Sequence, residues 1–126
     1  MKLSDFELFV MQILWQSAPA SAPQIHQVVE QDKDVTYATV KTIINRLEEK
    51  GAVARSHNEG RTIFYQPLVS EQEIKTPLFK SMVQRIFGSE KHALFNHIVK
   101  EEPLSKDDIE YLESILAEKK RQLDQE

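Results

Sequence analysis

The chain has 126 residues, 40% of them apolar and 29% charged, with no cysteine and a formal net charge of −4. This length allows one good core, or one compact domain with a helical appendage, and the missing cysteines exclude disulfides, thiolate metal sites and cysteine catalysis. No apolar run is long enough to cross a membrane and MKLSDFELF lacks the apolar core of a secretory signal, so a cytoplasmic protein without membrane insertion is expected.

Ser4-Asp5-Phe6-Glu7 is a capping box, and Phe6, Phe9, Val10, Ile13 and Leu14 then mark a helix to about Gln16, with Trp15 beside the apolar stripe. Pro19 ends it. Ser21 to Gln24 repeats the capping signal with Pro23 in the first turn, and Ile25, Val28 and Val29 predict a short second helix ending near Gln31. Asp32-Lys33-Asp34 is a polar connector, and Ala20 to Ala22 can lend a small strand.

Thr36 caps a third helix. In it Val40, Ile43, Ile44 and Leu47 form one apolar stripe. The opposite face carries Ala38, Thr39, Lys41, Thr42, Asn45 and Arg46, short or cationic donors with no acid before Glu48. Gly51 is placed as a C-terminal stop. Val53 to Ser56 and Thr62 to Gln66 follow as strands, joined by a turn at His57-Asn58-Glu59-Gly60, with Arg61 just past the tip. Three helices and a hairpin within 67 residues predict a winged helix-turn-helix.

Pro67 and Ser70 mark a boundary, giving a winged-helix domain over 1–69 and a helical domain over 70–126. Thr76-Pro77 is read as restarting a helix after a brief turn at Ser70. That helix carries Leu78, Phe79, Met82, Val83, Ile86 and Phe87 to a stop at Gly88. Ser89 is read as the cap of the next, with Leu94, Phe95, Ile98 and Val99; Ser105 caps the last, with Ile109, Leu112, Ile115 and Leu116 before a charged end. Three such helices make a thin domain with faces too apolar to leave in water. A homodimer is therefore expected, joined through Phe79, Met82, Val83, Ile86, Phe87, Leu94, Phe95, Ile98, Leu112, Ile115 and Leu116. The fold class is mainly α with a small β-hairpin wing, a winged helix-turn-helix followed by a helical dimerisation domain.

Charge distribution points the same way. Residues 36–66 hold five cations (Lys41, Arg46, Lys50, Arg55, Arg61) against three acids (Glu48, Glu49, Glu59), a local excess of +2, whereas nine cations against twelve acids leave 71–126 at −3. The locally basic surface coincides with the predicted reading head. A helix in the major groove reaches base edges with its N-terminal half. Thr39 and Thr42 are short enough to touch bases or phosphates, Lys41 and Arg46 long enough for phosphate, and Arg46 for a guanine. Arg55 and Arg61 on the hairpin suit backbone contacts to double-stranded DNA.

Other chemistries find little footing. Ser4, Ser21, Ser70 and Ser105 are helix caps rather than nucleophiles. The acid pairs Glu48-Glu49, Glu101-Glu102 and Asp107-Asp108 are sequence neighbours and point to different faces. With three glycines there is no phosphate-cradling loop. His92 and His97 stand five apart, a poor spacing for one ion, and His26 and His57 lie in other elements. No catalytic residue, metal or cofactor is expected.

The ordered set Leu3-Ser4-Asp5 with Glu7, Val10-Met11, Ile13-Leu14-Trp15, Thr39-Val40-Lys41-Thr42, Arg46-Leu47, Lys50-Gly51, Glu59-Gly60-Arg61, Phe64-Tyr65 and Pro67 resembles the penicillinase-repressor (BlaI/MecI-type) family. Leu104-Ser105, Asp108-Ile109 and Leu112 extend the resemblance to the last helix. It implies a dimeric repressor with two heads on an imperfect palindrome, contacting DNA through Thr39, Lys41, Thr42 and Arg46, with the wing at Arg61. Where that family's recognition helix commonly begins Ser-Pro-Lys, this chain has Thr36-Tyr37-Ala38, so Tyr37 stands in for a lost lysine contact or changes which bases are read. The resemblance also implies an upstream membrane sensor metalloprotease that triggers cleavage of the C-terminal domain. The matching bond falls at His97-Ile98 or Asn96-His97, neither the family's Asn-Phe pair, and the cysteine cluster of copper-responsive relatives is absent. An alternative expectation is a protein-interaction adaptor on a winged-helix scaffold without DNA binding, suggested by the net negative charge.

Overall fold

The first helix, α1 (Asp5–Ser17), begins at a closed capping box: Glu7 N–H donates to Ser4 Oγ at 3.1 Å and Ser4 N–H to Glu7 Oε1 at 2.8 Å. Ser21 and Gln24 repeat the arrangement for α2 (Ala22–Glu30), with Pro23 in the first turn. Thr36 Oγ1 accepts from Thr39 N–H at 3.2 Å to start α3 (Tyr37–Lys50), and α3 stops at Gly51, whose φ of 81° is the left-handed conformation that favours glycine. The computed structural model describes every residue, Met1–Glu126.

A three-stranded antiparallel sheet completes the head in the order β1-β3-β2, with β1 at Ala20–Ser21, β2 at Val53–Glu59 and β3 at Thr62–Pro67. Ala20 pairs with Tyr65 and Ser21 with Phe64, so the stretch Ala20 to Ala22 does supply a third strand. The hairpin differs from expectation. His57, Asn58 and Glu59 are not turn residues: β2 continues through them, and Glu59 faces Thr62 across a two-residue turn, Gly60-Arg61. A bulge between Arg55 and His57 shifts the register, and His57 then stacks on Phe64 with ring centroids 4.7 Å apart. That cross-strand pair and the ladder offset the weak strand preference of Asn58 and Glu59. Gly60, at φ 62°, takes the first turn position, which leaves Arg61 at the tip itself.

The core is built from one face of each helix and the inner side of the sheet. Val10, Met11, Leu14, Ile25, Val29, Val40, Ile44, Leu47, Val53 and Tyr65 are fully buried. Two expectations for α1 and α2 change in detail. Phe6 and Phe9 are only partly buried, each under the Lys33 ammonium (5.3 and 5.8 Å to the ring centroids), and Val28 is exposed. Met11 and Glu7 fill the interior instead.

Two compact units result, Met1–Phe79 and Lys80–Glu126, divided within α4 (Glu71–Phe87). The first unit runs past Pro67 because Trp15 Nε1–H donates to the Val69 carbonyl at 2.9 Å, Ile74 is buried, and the Lys75 ammonium lies 5.8 Å from the Trp15 ring centroid. Pro77 does not restart a helix; it sits inside α4, which begins at the Ser70/Glu73 capping box. An interior proline costs about 3 kcal/mol. Here Pro77 and Glu73, whose carbonyl loses its partner, are both exposed to water, and the cap, Ile74 and the Lys75–Glu71 pair hold the preceding turn.

The second unit continues with α5 (Lys91–Glu101) and α6 (Lys106–Asp124). Ser89 does not cap α5: the N-cap is Glu90, with no side-chain bond, because Gly88 (φ 62°) turns the chain tightly enough for Lys91 N–H to reach the Ser89 carbonyl. Ser105 and Asp108 do form a capping box for α6, which persists through the charged end on the Glu118–Arg121 pair. No side chain of α5 or α6 is buried. Phe79, Met82, Ile86, Phe95, Ile115 and Leu116 are exposed, while Val83, Phe87, Leu94, Ile98 and Leu112 are partly buried. No helix is long and apolar enough to cross a membrane.

Glu7, 3% exposed, is the buried ionisable group of the core. Its Oε1 takes both Ser4 N–H and the Lys50 ammonium (2.7 Å), and Lys50 also donates to the Lys2 carbonyl, so the end of α3 is tied to the start of the chain. Burial pushes the carboxyl up, but the Lys50 and Ser4 hydrogen bonds and the Lys50 charge together hold it below its ordinary value of 4.5. A depressed folded pKa contributes stability that is full above about 4.5 and is lost as pH falls through the folded value. Glu7→Gln is therefore expected to cost about 1–3 kcal/mol at neutral pH in urea unfolding. The difference from wild type should shrink as the pH drops below 4.5; a pH-independent difference would contradict the pairing.

Candidate nucleic-acid interface

The exposed side of α3 collects the predicted reading residues. Thr39, Thr42 and Arg46 recur at helical spacing on that side, and all three are exposed. The Thr39 hydroxyl lies 3.0 Å from that of Thr36, and the Thr42 hydroxyl donates to the Ala38 carbonyl at 3.0 Å, which leaves its oxygen free to accept. Arg46 has no acid within ion-pair distance and no hydrogen bond, so its whole guanidinium edge is available. Tyr37, at the start of α3, presents its ring to that of His26 edge-on (6.0 Å, 76°). His26 Nε2–H donates to the Val35 carbonyl at 2.9 Å, fixing the connector between α2 and α3.

The five cations of residues 36–66 are not equivalent. Lys50 is spent on Glu7, and Arg55 is bound to Glu48 at 3.1 Å. Arg46 and Arg61 are without ion-pair partners. Lys41 is partly buried, and its ammonium donates to the hydroxyl of the fully buried Tyr65 at 2.6 Å. Between α3 and the hairpin lies a cleft of about 260 Å³, lined by Ala22, Pro23, Tyr37, Lys41, Arg61, Thr62, Ile63 and Tyr65. The structure thus brings Tyr37, Lys41 and Arg61 together on the cleft, keeps Thr39, Thr42 and Arg46 on the open side of α3, and engages Arg55 elsewhere. Sequence reasoning missed Tyr65; its pairing with Ala20 and Arg55 across both neighbouring strands buries it, and no local pattern announces that. No three His, Cys, Asp or Glu side chains converge as metal ligands.

The sequence profile of the penicillinase repressors matches residues 3–118. The chain belongs to the penicillinase-repressor family. It is 33% identical over 118 residues to the methicillin resistance regulatory protein MecI of Staphylococcus aureus strain N315, covering 94% of this chain and 95% of that protein. Among solved structures it resembles the DNA-binding domain of the repressor BlaI, with a TM-score of 0.52 and 29% identity over 57% of this chain and 87% of that one. It also resembles the monomeric form of Bacillus licheniformis BlaI in complex with the blaP half-operator, with a TM-score of 0.50 and 29% identity over 58% of this chain and 88% of that one. Penicillinase repressors are winged-helix, DNA-binding transcriptional regulators and not enzymes. The mainly helical chain with its three-stranded sheet is a winged helix of that kind.

Proposed function

We propose that this chain is a homodimeric, sequence-specific transcriptional repressor that binds double-stranded DNA at a (pseudo)palindromic operator. The observation that carries the reading is the exposed face of α3. Thr39, Thr42 and Arg46, which makes no ion pair, are exposed there, beside a cleft that presents Lys41 and Arg61. In this reading Thr39, Thr42 and Arg46 touch base edges, Tyr37 flanks them, and Lys41 and Arg61 hold phosphates. Arg55 reaches the backbone only by leaving Glu48. Residues 1–69 form the reading head, and residues 70–126 hold two copies together through the apolar faces of α4, α5 and α6. A signal then releases the operator. Release by a sensor protease, which the family resemblance implies, would act near Asn96–Ile98, inside α5.

Titrating the full chain against its own upstream DNA and a scrambled duplex, at several salt concentrations, tests this reading. Salt-dependent binding with strong preference for the upstream duplex is expected. Equal affinity for both would contradict sequence-specific binding, and binding to neither would favour the adaptor reading. Arg46→Ala and Thr42→Ala should each weaken specific binding by about 1–3 kcal/mol. Arg61→Ala should weaken every sequence alike, and a sequence-selective loss there would show that the wing reads bases.

A further inference from the structure

Lys41 is held by a neutral group in a head where two other cations are held by acids. Lys50 and Arg55 are matched by Glu7 and Glu48, which cancels their charge locally. Lys41 has no carboxylate partner; its one hydrogen bond goes to the Tyr65 hydroxyl, and its ammonium lies 5.1 Å from the Tyr65 ring centroid. The phenol thus restrains the ammonium while leaving its full positive charge, and two of its three N–H groups, unspent. Tyr65 itself cannot yield: it is fully buried in the central strand β3, paired on both sides. Arg61 lines the same cleft from the hairpin turn.

We propose that Tyr65 is a positioning residue for DNA binding, its hydroxyl fixing the Lys41 ammonium at the cleft between α3 and the wing to take one backbone phosphate. The proposal rests on the DNA-binding reading above. Tyr65 touches no DNA; it acts by removing the rotamer freedom that Lys41 would otherwise lose on binding.

The test compares wild type, Tyr65→Phe, Lys41→Met and the double variant, using the upstream duplex and a scrambled duplex of equal composition across a salt series. Tyr65→Phe keeps the buried ring and removes only the hydroxyl. It should weaken both duplexes alike, by about three- to tenfold, and lower the slope of log affinity against log salt by up to about 0.9. Lys41→Met should lower the slope by about 0.9. In the Lys41→Met background, Tyr65→Phe should change neither affinity nor slope. A merely structural tyrosine would shift the melting temperature and leave the slope alone. The proposal is overturned by a Tyr65→Phe chain with wild-type affinity and slope, by an equal loss in the Lys41→Met background, or by a loss confined to one sequence. Wild type that binds both duplexes equally would sink sequence specificity but leave this comparison intact. Wild type that binds neither would overturn both.

Discussion

Replacing Ile86 and Phe95 together by glutamate should give a folded monomer that binds the upstream DNA about 10²–10⁴-fold more weakly than wild type. The two residues are 65% and 53% exposed, and no residue of α5 or α6 is fully buried in the single chain. Apolar patches of that kind mark an interaction surface, and a stable one commonly covers about 800 Å² per partner. Two charges set into such an interface cannot be desolvated cheaply. Because the second head then binds as a separate molecule, the loss is in avidity rather than in any contact to DNA. Sedimentation equilibrium would show the monomer. The melting transition of the head should stay in place, because neither residue lies in the Met1–Phe79 unit. An unchanged dimer would mean that other faces join the copies.

Leu47→Ala should destabilise the head by about 2–5 kcal/mol and lower its melting temperature by more than about 10 °C. Leu47 is fully buried on the inner face of α3, and its carbonyl accepts from Ala52 N–H at 2.9 Å where the helix turns into β2. Truncation leaves a cavity at the end of α3 where the chain turns into β2. For a domain whose whole stability is about 5–15 kcal/mol, that is a large share, and DNA affinity should fall with the folded fraction. Circular dichroism against temperature and urea reads it. A loss under about 1 kcal/mol would show that the site collapses around the missing atoms.

The features legible in the sequence were those set by neighbours within a few residues. Ser4, Ser21, Thr36 and Ser105 all cap helices because a side-chain oxygen finds a backbone N–H three residues on, and Gly51 takes the left-handed stop at φ 81°. The stripe Val40, Ile43, Ile44 and Leu47 is buried throughout, which leaves Thr39, Thr42 and Arg46 on the open side. Features set by distant partners stayed hidden. Glu7 reads as a surface cap residue until Lys50, 43 positions away, meets it in the core. Lys41 reads as a free cation until Tyr65, 24 positions on, supplies its hydroxyl. The continuation of β2 through Glu59 depends on the bulge after Arg55, and the passage of α4 through Pro77 on the anchorage of Ile74 and the Trp15–Val69 bond. Charge counting was legible only in part: two of the five cations on residues 36–66 are already paired, so this segment holds less free charge than its composition suggests.

That scarcity of free charge makes the contact pattern on DNA the most telling observable. Footprinting the full chain on the DNA upstream of its own gene should reveal two protected half-sites related by two-fold symmetry, their centres about 34–36 Å or a multiple apart. With Arg46→Ala, protection should require about 5- to 150-fold more of a chain that is still folded. Uniform protection along the fragment, or none at concentrations where the chain is folded and dimeric, would contradict a sequence-specific repressor that reads DNA through paired winged-helix heads.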